Sequence, residues 1–465
     1  MRINYSIQHM LKVKTKNANK QHFITLLLLL FTTFTPFLQL LSQPQKPCVR
    51  NIHGTLPKGY YFVVPYKINQ PKGLTKLPIM VFNENNEILF YQYIDKVGDF
   101  KMHPNGKISY FTKSKIYLLG DNFTLIDSIA CANNAETDVH DFLILNNGHY
   151  VLLGYEFVTE DYSKHKLFLN KNEPGSKRAK IKYGLIQEFD EHKKLIFNWS
   201  TKDLFNAYEV DPFFLYDTLN IDLTHFNSVD VDAKGDMIIS ARYFNEVFKL
   251  EKSSGRIVWR MGGKGNNITF LNDSIPFIGQ HDARFTGSHT FTLFDNGFNF
   301  DSLKHNARAL EYELSDGTKT AKVIWSYTNP KRIISEGNGN VQSLPDNMVL
   351  INYGKIEKGS ANITFEIVDK TNNKQLAEVY FEDTLGTYKT LYYPTLPFKL
   401  SKEKITVTKK GNVTILSLPN KHAHYVWNTG ETTASISTDK KGEFVVYYSD
   451  DANRFFSSTI LIQQD

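Results

Sequence analysis

The sequence predicts an all-β protein, a six-bladed β-propeller followed by a small C-terminal Ig-like β-sandwich. Aromatic residues make up 14% of the 465 residues, and they alternate with β-branched residues in short runs typical of strands. Asn-Gly and Asp-Gly pairs, which supply the positive φ angles of tight hairpins, separate many of these runs. A sandwich built from unrelated hairpins would give similar runs. The propeller is favoured because turns and strands recur in the same order.

The repeat consists of an opening turn, two strands, a second turn and a closing strand that often carries Trp. Clear units open at Asn146–Gly148, Asp232–Gly235, Phe294–Gly297 and Pro345–Asn347, and two shorter units open at Asn83–Asn86 and Pro104–Gly106. Four short strands cannot bury both of their faces alone, whereas radial packing of such units covers them. Residues 44–398 are therefore the predicted propeller.

Residues 1–43 have the character of an export signal. Four lysines between residues 12 and 20 precede the apolar run Phe23–Leu41, as in a signal peptide with a long basic lead. The alternative is an uncleaved anchor, which would make this segment the protein's one contact with a membrane. We expect an exported protein, located in the periplasm, at the cell surface or outside the cell. Export would allow a Cys48–Cys131 disulfide, and the alternative is two unrelated thiols.

Residues 401–465 break the repeat and contain short strands with turn signals. They predict the separate Ig-like β-sandwich and show no pattern that suggests chemistry. The formal net charge is +6, but no dense Lys/Arg stripe accompanies it. Nucleic acid is therefore not an expected partner.

Polar residues occupy one equivalent position in five of the predicted blades, just before or within the first strand. They are Lys101, His140 with Asp141, His225 with Asn227, His281 with Asp282, and Asn340 with Gln342. First strands line the axis of a propeller, so these groups predict a candidate site there. One such histidine is usually explained by local hydrogen bonds, but three at equivalent positions are not. His289, His305, His422 and His424 lie elsewhere and are taken as structural.

The residue types at this site favour an anion over a metal. Three histidines near carboxylates could hold zinc or iron, yet the candidates contain no His-x-His or His-x-x-x-His pair. The amides and the candidate cations Arg284 and Arg308 suit a tetrahedral oxyanion. A neutral histidine can act as nucleophile or general base near pH 7. No metal and no cofactor are expected.

Several segments, taken in order, resemble the arylsulfotransferase family, the bacterial aryl-sulfate sulfotransferases. The segments are THFNSVDVD (224–232), IISAR and IVWRMGG (within 238–263), QHDARF (280–285), LFDNG (293–297) and ARALEYEL (307–314). DFKMHPNG, VHDFLILNNGHY and GTYKT (386–390) are similar as well, so the resemblance covers about residues 50–395. It agrees with the propeller predicted from the repeat.

The resemblance implies transfer of a sulfuryl group from an aryl sulfate to a phenol through a sulfated histidine, without a nucleotide donor. His225 and His281 match the family's H-x-N-S and Q-H motifs, which implies proton transfer and oxyanion binding. His140 is a further candidate nucleophile or base, and Arg308 and Arg284 are expected to hold sulfate oxygens. The amides of Asn227, Gln280 and Asn340 complete the expected substrate-binding set.

The sequence departs from the family pattern at two places. Phe298–Phe300 follow the Asp-Asn-Gly turn where the family often has Arg, and the late segment GNGNVQ (337–342) lacks a histidine. The nucleophile is then either His140 or His281. Two other functions remain open: a non-catalytic propeller that binds a glycan or a small anion, and a metal-dependent hydrolase or lyase.

Overall fold

The computed structural model describes residues 46–67, 76–165, 174–215, 217–298, 305–357, 362–381, 385–400 and 402–463. Within these stretches the protein is all-β, with four single-turn 3-10 helices, η1 (Asp121–Phe123), η2 (Ala207–Glu209), η3 (Pro212–Phe214) and η4 (Arg242–Phe244). No helix in the described stretches has the length and apolar character needed to span a membrane. The predicted export signal lies outside the described residues.

Thirty-five strands are described, in chain order. The first twelve are β1 (Pro47–Asn51), β2 (Tyr60–Lys67), β3 (Lys76–Asn83), β4 (Ile88–Asp95), β5 (Phe100–Met102), β6 (Ile108–Thr112), β7 (Lys115–Leu119), β8 (Leu125–Ile129), β9 (Glu136–Ile144), β10 (Tyr150–Glu160), β11 (Ala179–Phe189) and β12 (Leu195–Ser200). The next twelve are β13 (Asn220–Asp222), β14 (Phe226–Val231), β15 (Met237–Ala241), β16 (Glu246–Glu251), β17 (Arg256–Gly262), β18 (Thr269–Phe270), β19 (His281–Phe285), β20 (Thr290–Asp295), β21 (Arg308–Ser315), β22 (Thr320–Thr328), β23 (Ser335–Gly337) and β24 (Asn340–Ser343). The last eleven are β25 (Met348–Asn352), β26 (Lys355–Ile356), β27 (Phe365–Asp369), β28 (Lys374–Phe381), β29 (Leu385–Tyr393), β30 (Thr406–Lys410), β31 (Val413–Ser417), β32 (His424–Trp427), β33 (Ser435–Thr438), β34 (Gly442–Ser449) and β35 (Phe455–Ile462).

Four antiparallel sheets are each built from four successive strands. These sheets are β5 to β8, β9 to β12, β14 to β17 and β19 to β22; a further sheet has the order β24-β25-β27-β28, with β1 paired at its outer edge. In another, β29 pairs with β2, which pairs with β3 and then β4. That sheet joins an early and a late part of the chain, so its formation fixes strands more than 300 residues apart in sequence.

The first strands of these six sheets are β5, β9, β14, β19, β24 and β29. Contacts join β9 to β14, β14 to β19, β19 to β24, β24 to β29 and β29 to β5. Asp99, which precedes β5, donates its backbone N–H to Val139 O of β9 at 3.5 Å. Apolar clusters fill spaces between consecutive sheets, as where Val151 and Ile239 share a core and Trp259 stacks on Phe291. Burial of these faces holds the first strands side by side.

The described chain divides into two compact units. One takes in residues 46–403 and Ala452–Ser458, so that Phe455 of β35 pairs with Tyr91 of β4. The other takes in residues 404–451 and 459–463 and contains the sheet β30-β31-β33 and the pair β32-β34. Each of these strand groups is antiparallel.

One predicted turn is wrong. The Asp-Asn-Gly segment of residues 295–297 was expected to open a hairpin, but the hairpin of β19 and β20 closes at residues 286–290, where Thr286 N donates to Thr290 O. Asp295 ends β20, and its Oδ1 accepts the N–H groups of Ile278 and Gly297. The segment is a loop braced by a buried carboxylate, whereas the predicted turn at Asp232–Gly235 does join β14 to β15, with Gly235 at φ 87°.

The two cysteines are not joined in a disulfide. Cys48 lies in β1, opposite Tyr380 of β28. Cys131 precedes β9 and lies where a Cβ on Gly154 would meet its Sγ at 2.6 Å. The two residues belong to different sheets, and the structure supports two unrelated thiols.

Candidate active site

Three of the predicted histidines meet where the middle of β9 lies near the N-terminal ends of β14 and β19. We call His140, His225 and His281 the histidine cluster. The rings of His140 and His225 lie 4.7 Å apart, edge to face, and His225 stacks on Tyr243 at 4.4 Å. Tyr388, at the start of β29, approaches the His140 ring at 5.8 Å. Aromatic rings therefore wall the cluster.

His140 forms a carboxylate–histidine pair with Asp138. Its Nδ1 lies 2.8 Å from Asp138 Oδ1, which also accepts the backbone N–H of His140 at 2.7 Å. Burial raises the pKa of Asp138, but His140 outweighs that effect and brings it to about 2. The ionised carboxylate fixes the proton on Nδ1, so the lone pair of Nε2 is available.

His225 is held in a strained backbone conformation. Its φ is 46°, a left-handed value that costs a non-glycine residue free energy. The backbone N–H donates to Asp222 Oδ1, and Nδ1 lies 3.5 Å from the other carboxylate oxygen. Burial, helped by the neighbouring His140, lowers the pKa of His225 to about 4 against the opposing effect of Asp222. His225 is therefore neutral at pH 7.

His281 has both ring nitrogens engaged. Nε2 accepts the backbone N–H of Asn338 at 3.1 Å, which places the proton on Nδ1. Nδ1 then donates to Asn296 Oδ1 at 2.7 Å, with Gly279 O at 3.0 Å. Burial, together with the charge of Arg242, lowers the pKa of His281 well below its usual range. His281 is a neutral group that ties two loops together.

Arg242 is a cation whose charge acts on both His225 and His281, and no sequence pattern marked it. It begins η4, and its backbone N–H donates to His225 O at 3.1 Å. A Cβ on Gly337 would lie 3.7 Å from Arg242 Nη2 and 4.0 Å from His281 Cε1, so the guanidinium and the imidazole face the same gap.

Arg242 is only 7% exposed, yet no carboxylate among the described residues forms an ion pair with its guanidinium. Its Nη2 donates to Glu336 O at 2.9 Å, it lies 5.2 Å from the Phe214 ring, and its Nε has no hydrogen-bond partner in the described chain. Burial lowers its pKa against the opposing charges of Tyr243 and Asp211. A buried, incompletely bonded guanidinium is unfavourable unless an anion completes it.

A second group of polar residues lies immediately behind the histidines. This charge layer consists of Asp99, Lys101, Asp141, Asp282, Arg284 and Lys389. Asp141 is central: its carboxylate lies 2.5 Å from Lys101 Nζ and 2.6 Å from Arg284 Nη2, and it accepts the N–H of Val229. Arg284 also binds Asp282 at 2.7 Å, and Lys101 binds Asp99 at 2.6 Å.

The charge layer contains three cations and three carboxylates, so its formal charges balance. Burial raises the pKa of Asp141, but Arg284, Lys101 and Lys389 together bring it well below its usual range. Burial lowers the pKa of Arg284, yet Asp141 and Asp282 raise it well above the usual value. Asp141 and Arg284 therefore stabilise each other's ionised forms.

Hydrogen bonds to the backbone carbonyl of His140 link the charge layer to the histidine cluster. Tyr388 OH and Lys389 Nζ donate to His140 O at 3.2 and 3.3 Å. Lys389 Nζ also lies 3.2 Å from Asp282. Because Asp138 holds the N–H of His140, the backbone of this residue is held from both sides.

The other predicted site residues are not brought to the histidines. Arg284 belongs to the charge layer. Arg308 binds Asp295 at 2.7 Å and Asp273 at 3.3 Å, on the outer side of the Asp-Asn-Gly loop. Neither guanidinium faces the gap between Arg242 and His281.

The predicted amides instead join neighbouring strands. Asn227 donates to Gln280 O at 2.7 Å, and Gln280 Nε2 donates to Glu246 O at 2.8 Å. Asn340 both donates to and accepts from the backbone of Thr390 at 2.9 Å, and Gln342 does the same with Tyr392. These side chains replace missing main-chain bonds between first strands.

Metal coordination has no support in the described part of the chain, where no group of three or more His, Cys, Asp or Glu side chains is arranged to hold a metal ion. Asp138 and Asp222 each lie beside the Nδ1 atom of one histidine.

Comparisons with known proteins identify one family. The model of the arylsulfotransferase (ASST) family matches residues 118–364, more than half of the chain. No curated protein matches the chain.

Solved structures give weaker likenesses. A protein of unknown function from Bacteroides caccae is 10% identical, with 72% of this chain and 98% of that one covered at a TM-score of 0.45. The periplasmic gluconolactonase of Pseudomonas aeruginosa is 8% identical, with coverages of 87% and 96% and a TM-score of 0.39. Virginiamycin B lyase from Staphylococcus aureus is 9% identical, with coverages of 80% and 96% and a TM-score of 0.35. At these values none of them bears on activity.

Proposed function

This chain belongs to the arylsulfotransferase family, and from that premise we propose that it transfers a sulfuryl group from a phenolic sulfate ester to a phenol at the histidine cluster. The observation that carries the proposal is Arg242, a buried guanidinium without a carboxylate partner in the described chain, beside three neutral or carboxylate-paired histidines. Its fork matches two oxygens of a sulfate group. Arg242 takes the role that the sequence assigned to Arg308 and Arg284.

His140 is the proposed nucleophile. Its Nε2 attacks the sulfur of the aryl sulfate; the N–S bond forms, the bond from sulfur to the phenolic oxygen breaks, and the phenolate leaves and takes a proton from water. The Asp138 carboxylate stabilises the positive charge that the ring gains. Arg242 balances the charge on the sulfuryl oxygens as the bonds change. His281 is less suited to attack because Asn338 occupies its Nε2.

The second half-reaction returns the enzyme to its resting form. The acceptor phenol attacks the sulfur, the N–S bond breaks, and the phenolic proton passes to His225 and then to water. His225 suits this role because it is neutral at pH 7 and lies 4.7 Å from the His140 ring, centre to centre. The rings of Tyr243 and Tyr388 offer surfaces on which a phenol can stack.

The same proposal includes the architecture. We interpret the six sheets as blades of a six-bladed propeller, because first strands of neighbouring sheets contact one another. The unit of residues 404–451 and 459–463 is proposed as the Ig-like sandwich, and the protein as an exported one. Circular dichroism and cell fractionation of the full chain test these two points.

The direct test is release of 4-nitrophenol from 4-nitrophenyl sulfate, with and without added phenol and without nucleotide. Acceptor-dependent release supports transfer; release that is indifferent to acceptor indicates a hydrolase on this scaffold. We expect His140→Ala to lower kcat at least about 1,000-fold. The matched control is His192→Ala on an exposed turn, which should retain the wild-type rate. Equal rates for His140→Ala and wild type would eliminate His140 as nucleophile.

A non-catalytic, anion-binding protein is the second candidate. It is favoured by the engagement of both His281 nitrogens and by the absence of a histidine from residues 337–342. It predicts saturable binding of 4-nitrophenyl sulfate that depends on Arg242, with no release of phenol. Turnover that His140→Ala abolishes would rule it out.

A further inference from the structure

A cavity of about 390 Å³ lies on the other side of the charge layer from the histidine cluster. Its lining includes Leu143 and Phe285, which come three and four residues after His140 and His281 on the same strands. At about 3.3 Å per residue of strand, these two residues lie about 10 Å or more along their strands from the histidines. We call this cavity the rear cavity, and the histidine chemistry does not use it.

The charge layer forms one wall of the rear cavity, and it presents mostly its cations. Lys101, Arg284 and Lys389 all line the cavity, whereas Asp282 is the one layer carboxylate that does. The side chain of Arg284 is 21% exposed and that of Asp141 is fully buried. The layer is neutral as a whole, but its positive groups lie toward the cavity and most of its negative groups lie away from it.

The remaining walls combine apolar and hydrogen-bonding groups. Met102, Leu143, Phe285, Val341 and Leu391 supply the apolar surface. Thr292, Gln342 and Ser343 add polar atoms. A volume of this size matches a small organic ligand, with apolar walls for its body and a few polar groups that fix its orientation.

We propose that the rear cavity is a second ligand site, which binds a small organic anion: a carboxylate or sulfonate on an aryl or alkyl body. The anionic group would lie against Arg284 and Lys389, and the body against Leu143, Phe285 and Leu391. The site does not depend on sulfuryl transfer, because it shares no side chain with the histidine cluster.

The first test uses 8-anilinonaphthalene-1-sulfonate, which carries a sulfonate on an apolar body and fluoresces when bound. Ser343→Trp fills the rear cavity from an exposed position, and Ser253→Trp, on the turn between β16 and β17, is the matched control. We expect at least a tenfold loss of affinity in Ser343→Trp, and none in Ser253→Trp or in His140→Ala. Melting temperatures check that each variant is folded.

Two outcomes would overturn the proposal. If Ser343→Trp binds the probe as the wild type does while Arg242→Met does not, the probe occupies the histidine cluster instead. The second measurement uses N-phenyl-1-naphthylamine, the same body without the sulfonate, for which we expect at least tenfold weaker binding. Equal affinity for both probes would show an apolar cavity without anion recognition. Neither probe-binding measurement depends on catalysis, so failure of the second-site proposal can be distinguished from failure of the proposed function.

Discussion

The histidine cluster and the charge layer each contain a buried arginine, but the two arginines have opposite surroundings. Arg284 contacts two carboxylates at 2.6 and 2.7 Å, and its pKa is raised despite burial. The Arg242 guanidinium donates to one backbone carbonyl, that of Glu336, and burial lowers its pKa. A buried cation that is paired with carboxylates of the protein helps to hold the fold together. A buried cation without such a partner gains its counter-charge only when an anionic ligand binds. The contrast separates a cation whose charge the fold already balances from one whose charge it does not, although the sequence treats the two arginines alike.

The largest expected effect is on stability. Arg284→Met leaves Asp141 and Asp282 short of a buried counter-charge, and we expect a loss of about 3–5 kcal/mol in the free energy of unfolding. Arg242→Met removes a buried charge that lacks a partner, so its melting temperature should equal or exceed the wild-type value. Thermal unfolding of the two variants is the measurement. A lower melting temperature for Arg242→Met than for Arg284→Met would contradict this contrast between the two arginines.

The next effect is on catalysis. Arg242→Lys keeps the charge but loses the two-pronged geometry, and we expect kcat/KM for 4-nitrophenyl sulfate to fall about 100-fold. The matched control is Arg308→Lys, whose side chain binds Asp295 away from the cluster and should change kcat/KM less than about threefold. A large loss in Arg308→Lys with none in Arg242→Lys would restore the role that the sequence assigned to Arg308.

A smaller effect is expected where the two regions meet. Tyr388→Phe removes one hydrogen bond to His140 O but keeps the ring beside the imidazole. A single neutral hydrogen bond contributes about 1 kcal/mol, so kcat should fall roughly fivefold with KM unchanged. Tyr388 would then be a positioning residue for His140. A change in KM alone would show that the Tyr388 hydroxyl contacts substrate instead.

The fourth effect is a pH dependence. The pKa of His225 is about 4 in the folded chain, below its usual value near 6.5. As the pH falls from 6.5 toward 4, the unfolded chain takes up the proton first, so stability declines across this window. The ring resonances of His225 in NMR spectra should titrate near pH 4. A midpoint near 6.5 would instead mean that the His225 ring is solvated. As a second measurement, His225→Gln should unfold with less dependence on acid pH than the wild type.

The histidine cluster could be predicted from the sequence because its members share one position in successive repeats. Arg242 and the partners Asp138 and Asp222 could not, since they lie outside that position and reach the cluster through local turns. Asn340 and Gln342 do lie at that position, but bond to the backbone of β29, as neighbouring first strands lack a main-chain ladder. The sequence shows that a residue is polar and near the axis, while the strand opposite decides what it binds.

The all-β class was similarly open to prediction, because turn residues and aromatic runs are local signals. The Asp-Asn-Gly segment at residues 295–297 shows the limit of such signals. Its sequence suits a hairpin, yet Asp295 accepts two backbone N–H groups and Asn296 bonds to His281, so it forms a loop that supports the site. Tertiary hydrogen bonds overrode the turn preference.

The most direct test of the account is a crystal structure with 4-methylbenzenesulfonate, an unreactive analogue of an aryl sulfate. We predict that two sulfonate oxygens bind the Arg242 guanidinium and that the sulfur faces His140 Nε2, with the aryl ring against Tyr243 or Tyr388. Sulfonate bound at Arg308, or a histidine cluster left empty by an analogue that binds in solution, would contradict the assignment of this site.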